Sequence, residues 1–72
     1  MEVLKKESKS GRIYRIYKEA AAWDLYVIEF LKTGKCADGS EFRAWFPAYE
    51  PKNKVFDSFK NAEIAFNAFL QT

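Results

Sequence analysis

The chain has 72 residues, a formal net charge of +2, a hydrophobic fraction of 49% and an aromatic fraction of 18%. That length holds one domain with one modest core, and the composition is unlike that of a disordered chain. A near-neutral total supplies no strong field for nucleic acid or for an anionic membrane.

Histidine is absent and Cys36 is the sole cysteine. Metal–imidazole sites, histidine-based triads and recognisable zinc spacings are therefore excluded, and no metal or other cofactor is expected. One cysteine cannot close an internal disulfide, which suits a reducing cytosol, and Cys36 reads as a small turn residue. No apolar run approaches the ~18 residues of a membrane span, and Met1 to Lys6 lacks a signal-peptide core, so a cytoplasmic protein is expected.

Charge is unevenly distributed. Residues 1–18 hold six bases (Lys5, Lys6, Lys9, Arg12, Arg15, Lys18) against Glu2 and Glu7, and the rest of the chain holds six bases against eight acids.

In chain order, residues 2–7 read as a short edge strand or, with the rest of residues 1–10, a flexible tail. Ser8-Lys9-Ser10-Gly11 is a turn signal, with Gly11 free to take a positive φ. Arg12 to Lys18 is rich in strand formers. Period-two alternation puts Ile13, Arg15 and Tyr17 on one side, and Tyr14 and Ile16 on the other with Arg12 and Lys18. Glu19-Ala20-Ala21-Ala22 is too short for a free-standing helix and reads as a connecting turn.

Trp23 to Leu31 predicts a long strand that is apolar on both faces. Tyr26, Ile28 and Phe30 share one side, while Leu25, Val27 and Leu31 share the other with Glu29. The strand is expected to continue toward Cys36 through an irregularity at Gly34. Asp38-Gly39 predicts a two-residue hairpin, with both residues at positive φ, that returns the chain along Glu41 to Ala48. On that partner Phe42, Ala44 and Phe46 face one way. Arg43, Trp45 and, past Pro47, Tyr49 face the other. Pro47 should end the ladder or lie at an edge.

Glu50-Pro51-Lys52-Asn53 reads as a polar loop and Lys54-Val55-Phe56 as a short strand. Asp57-Ser58 can cap a helix. From there Phe59, Ala62, Ala65, Phe66, Phe69 and Leu70 recur within an arc of ~140°, the stripe of a helix lying on a sheet. Lys60, Glu63, Asn67 and Gln71 fall opposite, with Ile64 partly exposed. The expected fold is α+β: a small antiparallel meander of three to five strands, with one C-terminal helix packed on one face.

One helix covers one face of such a sheet. Its phenylalanines call for a floor of Tyr26, Ile28 and Phe30 with Phe42 and Phe46, and Glu29 points the same way because a carboxylate under a helix is costly. The outer face then holds Arg15, Tyr17, Leu25, Val27, Glu29, Leu31, Arg43, Trp45 and Tyr49, with Ile13 nearby. That patch is larger than a monomer usually exposes. Register decides it, since a slip of one residue exchanges the faces.

Aromatics with arginine and few other charges match the composition of an interface core. The leading expectation is a non-enzymatic protein–protein interaction module that self-associates as a homodimer, or binds or inhibits a larger protein, through this face. The alternative is single-stranded nucleic acid stacked on Tyr14, Tyr17, Trp23, Tyr26, Trp45 and Tyr49, with Arg12, Arg15 and Arg43 tracking phosphates. A third possibility is that the N-terminal residues cover the patch internally. No nucleophile elbow or phosphate-cradling glycine loop is present. Asp24, Glu29, Glu41 and Glu50 read as solvated or cross-strand charges, with Arg15 or Arg43 as the natural partner for Glu29.

Overall fold

A thirteen-residue strand, β3 (Trp23–Lys35), is the spine of the structure, a computed structural model that describes residues 1–20, 22–49 and 54–72. Before it come β1 (Glu2–Glu7) and β2 (Ile13–Ala20), and after it β4 (Glu41–Pro47), β5 (Val55–Phe56) and the helix α1 (Phe59–Leu70). The sheet is antiparallel, in the order β1-β2-β3-β4, with β5 also paired to β3. This is the expected α+β meander with one C-terminal helix. The expected polar loop Glu50 to Asn53 lies outside the described residues.

β3 is longer than any neighbour. β2 pairs with it from Trp23 to Phe30, while β4 takes the opposite edge from Glu29 to Lys35 and β5 fills that edge at Tyr26 and Val27. Beyond Phe30, β3 and β4 form a two-stranded arm. The molecule is accordingly elongated: its long axis is 41 Å, close to the ~43 Å that thirteen extended residues span.

The helix is held at both ends. Ser58, in an extended conformation, accepts a hydrogen bond from the Asn61 amide at 3.2 Å, the N-cap expected of it. At the other end Leu70 and Thr72 carbonyls accept from the amides of Lys9 and Ser10, each at 3.0 Å. The β1–β2 turn thus satisfies carbonyls that a helix end leaves unpaired. Residues 1–10 are a docked hairpin arm, and no flexible tail is involved.

All six stripe residues pack into the core. Ala62 and Phe66 are buried with Tyr14, Ile16, Tyr26 and Ile28, while Phe59, Ala65, Phe69 and Leu70 close around them. Phe69 stacks on Tyr14 at 5.1 Å and Phe59 meets Tyr26 edge-on at 5.9 Å. Tyr26, Ile28 and Phe30 do lie on the helix side. The other half of the floor differs from expectation: Tyr14 and Ile16 supply it, and Phe42 and Phe46 do not. The helix crosses β2, β3 and β5 and stops short of the arm. Out there cations cover the aromatics, with Arg12 4.6 Å from the Phe30 ring centroid and Lys32 5.6 Å from that of Phe46.

Three local expectations are corrected. The β3–β4 turn is a three-residue loop, not a two-residue one: Gly39 donates to the Cys36 carbonyl at 3.0 Å, and Cys36 to the Ser40 carbonyl at 2.7 Å. Gly39 alone takes a positive φ, +87°, the geometry of a turn followed by a left-handed bulge residue. Asp38 instead anchors the turn, its carboxylate accepting from the Ser40 amide at 2.9 Å and hydroxyl at 2.6 Å. These bonds hold its pKa below the ordinary aspartate value. Second, β3 runs through Gly34 with unbroken register, because the missing side chain leaves room for the Phe42 ring, which would lie 2.6 Å from a Cβ there. Third, β2 continues through Glu19 and Ala20, because a register shift after Lys18 lets Ala20 pair with Trp23. Ala22 lies in the turn, and Ala21 is outside the described residues.

Phe66→Ala is expected to cost about 3–5 kcal/mol, read by urea denaturation, because the ring is fully buried and a cavity remains. Ser40→Ala should raise the Asp38 pKa toward its ordinary value in a carboxyl NMR titration. The lowered native pKa makes the turn bonds stabilising above the unfolded-state value and lost as pH falls through the native one, and that acid sensitivity should shrink in the variant.

Candidate functional site

The face of the sheet away from the helix has a built centre. Arg15 on β2 lies opposite Glu29 on β3, and its Nε and Nη2 converge on Glu29 Oε1 at 2.8 and 2.7 Å. Its Nη1 is 3.6 Å from Glu2 Oε1. Glu2 reaches this side because the β1–β2 register shifts between Glu2 and Leu4, which leaves Leu4 with the core and turns Glu2 the other way. A bulge re-aims a side chain in just this manner.

The same guanidinium lies 4.1 Å from the Trp45 ring centroid and 4.6 Å from that of Tyr17. Arg15 therefore spans from its own strand, over β3, to β4. Its side chain is 16% exposed and that of Glu29 19%. Charge pairing and stacking at such half-dry positions each contribute on the order of 1 kcal/mol. The cluster works as a thin second layer, a lid that the protein lays on its own sheet.

The expected outer residues divide accordingly. Arg15, Tyr17, Glu29 and Trp45 are brought together. Leu31 lies half-buried opposite Trp45, and Val27, opposite Tyr17 and Val55, is only 2% exposed. Leu25 is open to solvent at 37%. Arg43 stands apart on the arm opposite Thr33, so among the described residues it is Arg15 that serves Glu29. Tyr49 was expected on this face, and the structure places it on the other. Its ring meets Phe69 at 5.2 Å and Phe56 at 6.1 Å, and burial raises its pKa. Alternation ends at Pro47, where the chain bends toward the helix.

Val55 was missed, and Trp23 was named only as a stacking residue for nucleic acid and not as part of the protein-binding face. Trp23 is 65% exposed and Val55 52%. Period two puts Trp23 on the side of Leu25 and Val27, so strand alternation was sufficient to find it. Val55 joins through its register with Val27, and a two-residue strand beyond a loop carries no signal of its pairing. Trp23, Leu25 and Val55 form the apolar part of this face, beside the Arg15 cluster.

For single-stranded nucleic acid the same geometry is poor. Tyr14 and Tyr26 are buried under the helix, Tyr49 and Arg12 lie on the helix side, and Arg15 is already stacked and paired. Among the described residues no group of acidic or cysteine side chains is arranged to hold a metal ion, and no helix is long and apolar enough to cross a membrane. The surface depressions are open grooves. No protein-family model, curated protein or solved structure matches the chain, so the surface itself has to carry the functional reading.

Removing Arg15 strands a half-buried carboxylate. Arg15→Ala is expected to destabilise by about 1–3 kcal/mol. Arg15→Lys should recover only part, because an ammonium lacks the planar fork and stacks poorly. A double-mutant cycle with Glu29→Gln, read by denaturation, should give a favourable coupling energy; additivity would mean the pair contributes nothing.

Proposed function

We infer that this chain is a non-enzymatic interaction module whose outer sheet face docks on a larger protein. The observation that carries this reading is the uncovered apolar group Trp23, Leu25 and Val55 beside a centre whose arginine is already paired. Arg15 already has Glu29 and Glu2, so the occupant needs no countercharge there. On the strand register Glu29 and Glu41 share the face with Arg15 and Arg43, a mixture that favours neither sign. The matching chemistry is a flat, largely apolar protein surface with a polar rim, where aromatic residues act as anchors. A polyanion gains little from such a face.

The test uses a photo-crosslinking amino acid placed in living cells at Leu25, at Val55 and, on the solvent side of the helix, at Ile64. Leu25 and Val55 should yield one common adduct that Ile64 does not, and Trp23→Asp should abolish it. Identical adducts from all three positions would sink the reading. Fluorescence anisotropy with a single-stranded oligonucleotide at low salt is expected to show no binding. Binding that falls steeply with added salt would replace the protein partner with nucleic acid.

A further inference from the structure

The two edges of the sheet are unlike. β1 carries Glu2, Lys5, Lys6 and Glu7 and a register shift near Val3, the devices that keep an edge from pairing. β4 at the other end runs Glu41–Pro47 in unbroken register with β3 and carries Phe42, Trp45 and Phe46 between Glu41 and Pro47, with Arg43 as its one central charge. It is also half of the arm that neither β2 nor the helix reaches, and a lone two-stranded ribbon is marginal in water.

The hydrogen-bond phase of β4 is set at its ends. Cys36 donates to the Ser40 carbonyl and Ala48 to the Ile28 carbonyl, so even-numbered residues bond β3. Glu41, Arg43 and Trp45 then present their amide and carbonyl groups outward. The amide hydrogen that Pro47 lacks also falls on the outward side, so its loss costs the β3–β4 ladder nothing and removes one bond at each end of a pairing across this edge.

We propose that this edge pairs with β4 of a second copy, antiparallel across a two-fold axis at Ala44, joining two sheets into one. In that register Arg43 faces the partner's Trp45 and Phe42 faces the partner's Phe46, each twice by symmetry. The small Ala44 sits where the backbones cross. Other axes fit worse. An axis at Arg43 sets like charges opposite each other. An axis at Phe42 recruits Gly39 and Ser40, which the turn already uses. An axis at Trp45 carries the pairing past Pro47, where the chain has bent away. One register thus gives Phe42 to Phe46 fitting neighbours, with stacked cation and aromatic pairs on one side and paired phenylalanines on the other, while Glu41 meets the partner's Pro47 at each end of the ladder. The pairing does not rest on the outer-face reading, though it would set two such faces side by side.

The experiment combines sedimentation equilibrium with disulfide trapping in the full chain carrying Cys36→Ser. At the axis Ala44 makes a non-hydrogen-bonded pair with Cα atoms ~4.5 Å apart, within disulfide reach, whereas Phe42 and its symmetry mate lie roughly 14 Å apart. A dimer is expected that Ala44→Cys traps on mild oxidation and Phe42→Cys does not, with Arg43→Glu raising the dissociation constant about tenfold or more. Leu25→Asp and Val55→Asp should leave the dimer intact, which separates this interface from the outer face. A monomer at millimolar protein, or a dimer that Ala44→Cys fails to trap, overturns the proposal.

Discussion

The governing constraint is a mismatch of lengths. β3 spans ~43 Å and is apolar on both sides, while a twelve-residue helix covers ~18 Å of one of them. The helix lies over β2, β3 and β5, where the core forms around Phe66, Ile16 and Ile28. Everything else on the sheet has to be covered by other means or left open.

Cations supply much of that cover. Arg12 and Lys32 lie over Phe30 and Phe46 on the helix side beyond the helix, and Arg15 bridges Tyr17 and Trp45 on the outer side. Arginine suits this task because its guanidinium is flat, weakly hydrated and able to stack while it hydrogen-bonds at its edge. Glu29 and Glu2 hold Arg15 in place, and the bulge near Val3 exists at the one position that lets Glu2 take part. Beside the exposed Val3 and Phe46, what remains uncovered includes Trp23, Leu25 and Val55 on the outer face and the edge of β4. The two proposed contacts fall on those two places.

Where the sequence was legible, the reason is local periodicity. The helix, its serine cap and its apolar stripe follow from a 3.6-residue repeat that no distant contact needs to confirm. The separation of Tyr26, Ile28 and Phe30 from Leu25, Val27 and Glu29 follows from period two, and adjacency of strands narrows the partner of Glu29 to Arg15 or Arg43, between which register chose Arg15. Tyr49 shows where this reasoning stops, since alternation holds only while the chain stays in the ladder, and its last bond to β3 is at Ala48. The Asp38-Gly39 turn shows another limit: the glycine announces a hairpin, but the residue count of the loop depends on which pair closes it.

By itself, then, the sequence determined the class of fold, the identity of the helix face and the two faces of β3, because each is set by spacing along one element. Tertiary structure decided how far each neighbour extends along β3, and hence that Tyr14 and Ile16, not Phe42 and Phe46, floor the core. It also decided that Val27 is buried on a face the helix does not cover, and that β5 returns to the edge β4 leaves. Those outcomes depend on where separate elements begin and end relative to one another. No periodicity within any one of them encodes that.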